Sequence, residues 1–448
     1  MHDARTLNLT LDFCLRVGEL LLSSGAGAAD VTATMRALSW TLGVRNPDVD
    51  VTFTSMSMSY QPDPEEPIVL QVRQVTQREI DYEDLTLVDH LVRDVVNGHT
   101  DLAGARQTLA RIVSSGHGRP RWAVTLGWGV MCAGVGLMLG GNAWVSAIAF
   151  AAAVCIDRLQ LVMNRRRLPF FYQQVAGGGV ATLLAAGAEA SPLQLDPSLV
   201  VTANIIMLLA GVGFMGGLQD ALSGFYLTAG ARLTEALLAT AGIIAGVSGG
   251  LTLADVLGIQ IADIEPGLGT SLKSVTVVAI GSAITAGAFA YSSYAPRRII
   301  APIAAIGSVA MLISQSSTIL GFGRTWPTAI AAFVVGLVSY TVAGRLRVPP
   351  LVVVVSAVVP MLPGLSIYRG LSLLAEGGPY VSLGLLSLIT AASVAIALSA
   401  GVILGEYVAQ PLKREAGRLE RRLSGPRLVG PLRARPGRSR RPRRYDIG

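Results

Sequence analysis

The sequence predicts an α-helical polytopic membrane protein, with ten transmembrane helices in two five-helix groups preceded by a small α+β cytoplasmic domain. Three observations carry this expectation. Of the 448 residues, 51% are hydrophobic and only 15% are charged, and the mean hydropathy is +0.53. An ordinary soluble domain carries about 25% charge, and one this apolar would expose large adhesive patches. Beyond Pro120, apolar stretches recur at roughly the 20-residue length that a helix needs to cross the hydrocarbon. Finally, the arginines between those stretches sort into alternate loops.

Residues 1–118 read as the soluble domain. Leu11, Leu15, Gly18, Leu21 and Leu22 recur at helical spacing, with Asp12, Arg16 and Glu19 on other faces. A second helix spans Ala28 to Leu42 and is stopped by Gly43 and Asn46-Pro47. Val49, Val51 and Phe53 alternate with polar residues and continue through Met56, Met58 and Tyr60, the pattern of one half-buried strand. Pro62, Pro64 and Pro67 mark a turn, and Ile68 to Val72 reads as the return strand. Leu85 to Val96 and Leu102 to Val113 are amphipathic helices. About 100 residues suffice for a core of their own.

The first membrane group, 119–250, has spans near 122–140, 142–161, 171–190, 199–217 and 231–249. An extracytoplasmic linker, 251–273, precedes the second group, 274–409. Its spans lie near 274–292, 298–316, 326–343, 348–366 and 380–409. With the front domain inside, the inner loops carry Arg158, Arg165, Arg166, Arg167, Arg232, Arg297, Arg298, Arg345 and Arg347. The outer segments carry only Lys273, Arg324 and Arg369, beside Glu189, Asp196, Asp255, Asp263, Glu265 and Glu376. This satisfies the positive-inside rule and places both termini in the cytoplasm. The first apolar stretch lacks a basic leader and cleavage site, so no signal peptide is expected.

Net charge is +7, unevenly placed. Pro411 to Gly448 holds thirteen Lys/Arg against Glu415, Glu420 and Asp446, so the tail, 410–448, is near +10 and the rest near −3. Beside a membrane exit this predicts a disordered basic tail held at anionic lipid rather than a nucleic-acid site. Cys14, Cys132 and Cys155 form no CxxC pair, and His2, His90, His99 and His117 form no i,i+4 pair. No metal, cofactor or disulfide framework is expected. Asp81, Glu83, Asp84, Asp89 and Asp94 read as a solvated acidic face. No nucleophile elbow or phosphate loop is present, which argues against an enzyme and against ATP as a driving force.

Two runs break the apolar pattern at matching places. Leu208 to Gly213 lies near the end of the fourth span, and Val359 to Gly364 near the end of the ninth, its counterpart. Paired interruptions leave backbone groups that must face protein, water or solute, and are the best sequence pointer to a transport site. The same glycines would also let helices pack closely. Polar residues near spans are candidates for substrate binding or coupling. Asp157 lies beside Arg158 at the end of the second span, and Asn204 within the fourth. Gln219 and Asp220 end the fourth, Glu235 opens the fifth, Gln315 lies near the end of the seventh, and Glu406 lies at the inner end of the tenth. Asp220 is the leading candidate for a carboxylate that gains and loses a proton. Pro363, Gly364 and Tyr368 follow the second interruption.

The run LRVGELLLSSGAGAADVTATMRALSWTLG, Leu15 to Gly43, resembles the front signature of the threonine/serine exporters. The resemblance covers nearly the whole chain. It includes YEDLTLVDHLV from Tyr82 to Val92, RLPFFYQQVAGG from Arg167 to Gly178, and VVPMLPGLSIYRGL from Val358 to Leu371. The family's first-half acidic position corresponds to Asp220 in AGVGFMGGLQD, where its preceding proline is absent. The resemblance implies a multi-pass bacterial inner-membrane exporter of L-threonine and L-serine, driven by protons. It also carries a substrate-region role onto Pro363, Gly364 and Tyr368. Export of a dicarboxylate, or a channel or non-transporting scaffold, are the alternatives. Glycine-rich helix faces leave room for a homo-oligomer.

Overall fold

Periodic apolar residues make most of the chain helical. A computed structural model describes residues 4–75, 80–189, 196–209, 211–259, 272–319, 325–376 and 378–416. Most of the linker, and the tail from 417 onward, lie outside the described residues.

The front segment contains α1 (Ala4–Ser23), α2 (Ala28–Thr41), β1 (Asp48–Val51), β2 (Ser55–Tyr60), β3 (Val69–Gln74), α3 (Tyr82–Val96) and α4 (Leu102–Ser115). The three strands form one antiparallel sheet in sequence order. Met56 and Met58 face the core shared with Leu11, Leu15 and Met35, while Leu70 and Val72 lie on the opposite, exposed face. The single strand expected over Val49 to Tyr60 is a hairpin. Thr52 turns the chain by bonding its N–H and hydroxyl to the Ser55 carbonyl, each at 2.8 Å.

The acidic face is also only partly solvated. Asp81 caps α3 by accepting from the Glu83 and Asp84 amides at 3.0 Å. Asp89 is buried, 2.5 Å from the Arg93 guanidinium. Burial outweighs that partner and pushes the Asp89 carboxyl up to about 6. A folded value above the unfolded value of about 3.9 gives stability that is present below about pH 4 and lost as pH rises through about 6. Unfolding of the purified chain at several pH values should show a loss on the order of 2 kcal/mol across that window from this group. Asp89→Asn should remove that part of the slope.

After Pro120 come α5 (Arg121–Met138), α6 (Ala143–Arg165), α7 (Phe170–Glu189), α8 (Pro197–Leu208), α9 (Gly211–Leu222) and α10 (Tyr226–Val256). They are followed by α11 (Leu272–Ser292), α12 (Arg297–Ile319), α13 (Thr325–Leu346), α14 (Pro350–Val358), α15 (Gly364–Glu376) and α16 (Val381–Ala416). Among the described residues, six helices are long and apolar enough to cross a membrane: α6, α10, α11, α12, α13 and α16. A seventh crossing follows if α8 and α9, bent by 47°, count as one. Exposed Leu237, Leu238, Leu385, Leu386 and Ile389 suit lipid, and exposed Trp122, Trp144, Tyr226, Trp326 and Tyr380 sit near helix starts, as interfacial anchors do.

The same contacts recur in two halves. α5–α6, α6–α7, α7–α8, α7–α10 and α9–α10 pack in the first, and α11–α12, α12–α13, α13–α14, α13–α16 and α15–α16 in the second. The glycine contacts match residue for residue. A Cβ on Gly178, Gly242 or Gly246 would lie 2.7, 2.7 or 2.0 Å from the carbonyl oxygens of Ile243, Phe171 or Val175. A Cβ on Gly336, Gly401 or Gly405 would lie 2.4, 2.5 or 2.3 Å from those of Val402, Ala329 or Phe333. Gly242-Ile-Ile-Ala-Gly246 and Gly401-Val-Ile-Leu-Gly405 thus do the same work: absent side chains let two backbones touch.

Candidate functional site

The front segment is seated on one end of the helix bundle, and the contacts are polar and specific. α2 starts at a Gly27 N-cap that offers no side-chain cap, which leaves amide donors open. Asp220 of α9 supplies the missing acceptor: its Oδ1 takes the Ala28 N–H at 2.8 Å, across 192 residues of sequence. A carboxylate there also meets the positive end of the α2 dipole. Arg232 of α10 lies with its Nε 3.3 Å from the other Asp220 oxygen and donates from Nη2 to the Ala26 carbonyl at 2.8 Å. The Thr228 hydroxyl donates to the Val51 carbonyl at 3.2 Å, and the Arg232 guanidinium lies 5.8 Å from the Phe53 ring. Asp220, Arg232 and Thr228 are all buried.

Two further contacts hold the same end. The Tyr82 amide donates to the Ser293 carbonyl at 2.9 Å, and Arg119 donates to the Tyr291 and Ala295 carbonyls. His117 stacks on Tyr294 at 4.0 Å, while its Nδ1 lies 3.1 Å from Asp81. His90 meets the Arg347 carbonyl at 2.8 Å. Asp81, Asp84 and His117 bring potential ligand atoms within 4.8 Å of one another, but Asp81 is already engaged by the α3 cap and by His117.

Between α2, α9, α14 and α16 lies a cavity of about 490 Å³. Asp30, Thr32 and Arg36 line it from α2, Gln219 and Asp220 from α9, and Glu406 from α16. Burial raises the Asp30 carboxyl well above its ordinary range, and the Glu406 and Asp220 charges raise it further.

The predicted residues are therefore only partly gathered. Gln219 and Asp220 share the cavity. Asn204 is fully buried in α8, its amide nitrogen donating to the Val200 carbonyl at 2.9 Å, and it does not line this cavity. Pro363 and Gly364 lie at the break between α14 and α15, where an interruption was expected, and a Cβ on Gly364 would lie 2.7 Å from Ile206 of α8, so the two interruptions adjoin. Tyr368 falls on α15, but its side chain lies outside the described residues. Asp157 is not paired with Arg158, which is exposed. It instead takes hydrogen bonds from Arg121 Nη2 and from the Thr125 hydroxyl, each at 2.7 Å, because α5 packs against that face of α6. Glu235 does not open the fifth span: α10 begins at Tyr226, and Glu235 is exposed inside it. Glu406, a polar residue at the inner end of the expected tenth span, lines the cavity, whereas Asp30, Thr32 and Arg232 were not among the predicted site residues. The visible hint was the position of Asp30 in the front signature.

Comparisons with known proteins give the family. A family model described as "Putative threonine/serine exporter" matches residues 12–254, and a second, "Threonine/Serine exporter, ThrE", matches residues 278–408. A "Probable threonine/serine exporter" of Mycobacterium tuberculosis is 34% identical, over 99% of this chain and 85% of that protein. A "Threonine/serine exporter" of Corynebacterium glutamicum is 33% identical, over 90% of this chain and 83% of that protein. No solved structure matches the chain. With both halves matched and relatives aligned over most of their length, the chain belongs to the threonine/serine exporter family of multi-pass bacterial membrane transport proteins.

Proposed function

We propose that the chain is a secondary exporter of L-threonine and L-serine that works by alternating access and is driven by the proton gradient. The observation that carries the reading is the meeting of two interrupted helices, one from each half, where Gly364 packs on Ile206. Broken helices at the interface of repeats are where transporters place substrate and coupling ions. The printed names of the relatives supply the solute class.

Ten crossings follow if α5, α7 and the pairs α8–α9 and α14–α15 each cross once alongside the six long apolar helices. Five crossings per half make the two halves an inverted repeat. The docked end is then cytoplasmic, because the front segment touches the helix ends at α9–α10, α11–α12 and α13–α14, near Arg232, Arg297, Arg298, Arg345 and Arg347. Solute enters from that end, and the domains at 1–118, 119–250, 251–273, 274–409 and 410–448 divide seating, transport and lipid contact. Three carboxylates in the cavity disfavour a dicarboxylate cargo by like-charge repulsion. They also offer groups that can take up a proton, as coupling to the proton gradient requires.

Proteoliposomes loaded with labelled threonine, serine or succinate test the reading. Threonine and serine efflux should saturate and should fall when an imposed pH gradient is collapsed. Unchanged efflux after collapse removes proton coupling, movement of succinate alone reassigns the solute, and flux that does not saturate points to a channel.

A further inference from the structure

We propose that the cavity between α2, α9, α14 and α16 is a cytoplasmic binding site for a small hydroxy-amino acid. The ammonium is held by Asp30 and Glu406, the side-chain hydroxyl by Thr32, and the carboxylate meets Arg36 at the mouth. The inference rests on the export reading above and names the site that loads the carrier.

Three observations separate this cavity from an ordinary cleft between helices. Glu406 is 5% exposed, lines the cavity, and makes no hydrogen bond or ion pair among the described residues. Asp30 also lines it and has none. A carboxylate in such surroundings is costly unless a cation or a donor meets it. Among the described residues, the cation bonded to the third carboxylate is Arg232, which also donates to the Ala26 carbonyl in the latch already described. Thr32, which is 6% exposed, carries a buried hydroxyl without a hydrogen-bond partner and lines the same cavity. Buried polar groups in native proteins find partners, and several orphans around one cavity indicate a ligand that supplies them.

The charges set the ligand class. Asp30, Glu406 and Asp220 line the cavity with one guanidinium, the exposed Arg36, while Arg232 is bonded to Asp220 outside the lining, so the interior favours one positive charge and the mouth accepts a negative one. A zwitterionic amino acid with a hydroxyl matches this order of groups. The volume of about 490 Å³ lies within the range of about 300 to 1,000 Å³ common to small-molecule sites. Two sources can offer a cation here, the substrate ammonium and an inorganic ion. The hydroxyl-seeking Thr32 selects the former.

The test is binding of labelled L-threonine to the purified full chain in lipid nanodiscs, together with efflux from proteoliposomes. Asp30→Asn and Glu406→Gln should each weaken threonine binding by about 30-fold or more, the loss expected when one member of a buried charge pair is removed. Thr32→Val should weaken threonine more than alanine. A reading independent of variant folding comes from the parent alone: N-acetyl-L-threonine, which lacks the ammonium, should not compete with labelled threonine. Competition by N-acetyl-threonine, or full-strength binding by the Asp30→Asn and Glu406→Gln variants, overturns the site while leaving the export reading intact. Competition by sodium but by no amine reassigns the site to an inorganic cation and overturns the proposal. A parent that binds and moves a dicarboxylate and no amine overturns both readings.

Discussion

Arg232→Ala is expected to lower stability by about 3 to 5 kcal/mol, the cost of stranding one charge of a buried pair. The change leaves Asp220 with the Ala28 amide as its remaining bonded partner, and it removes the donor to the Ala26 carbonyl. Arg232→Lys should recover only part of the loss, because an ammonium cannot fork between the Asp220 carboxylate and a backbone carbonyl as a guanidinium does. Asp220→Asn combined with Arg232→Gln should recover more, since the asparagine oxygen still accepts the Ala28 N–H and no charge is left buried. Thermal unfolding of the four proteins in one detergent measures the series. An Arg232→Ala protein that unfolds with the parent would show that the pair does not hold the front segment.

Gly246→Ala and Gly405→Ala are the second pair of large effects. Their Cβ atoms would fall 2.0 Å from the Val175 oxygen and 2.3 Å from the Phe333 oxygen, inside any van der Waals contact and against backbone that cannot rotate away. Overpacking of this kind costs about 1 to 3 kcal/mol and more when two helices must separate. Gly249→Ala is the control: a Cβ there meets nothing within 4 Å, so the better helix propensity of alanine should leave stability equal or slightly raised. Because α7–α10 and α13–α16 make the same contacts, the two damaging changes should be close in size. A large effect in one half alone would contradict the equivalence of the halves.

Much of the architecture was legible because hydrocarbon length and helical period leave strong marks. The apolar stretch expected at 142–161 is α6, and the stretches at 274–292 and 326–343 are α11 and α13. The break at Pro363 was announced by the proline itself. The hairpin at Thr52 to Ser55 was missed because alternation of apolar and polar residues runs straight through it. The turn is made by threonine and serine hydrogen bonds, without the glycine or proline that usually marks one. The repeat was first seen in the interrupted runs at Leu208 and Val359, yet its firmest trace is the pair of glycine motifs at Gly242 and Gly401, which only mutual packing distinguishes from other small-residue spacings.

The site was harder for a physical reason. Asp220 stood out as an acid near a span, but its bond goes to an amide 192 residues earlier, a contact that no local pattern encodes. That bond ties α9 to the start of α2. Asp30 lies in the front signature, and its surroundings at the cavity come from α9 and α16. Asp157 and Glu235 were chosen by position alone, and tertiary packing gave the first a partner on α5 and left the second exposed.

Asp220 seats the front segment on the helix bundle. Hydrogen–deuterium exchange over residues 26–33, compared between the parent and Asp220→Ala in the same detergent, tests this most directly. The parent should protect this stretch, and the variant should lose protection there while β2 and α3 exchange as before. Equal exchange of residues 26–33 in the two proteins would contradict the seating and the cavity it closes.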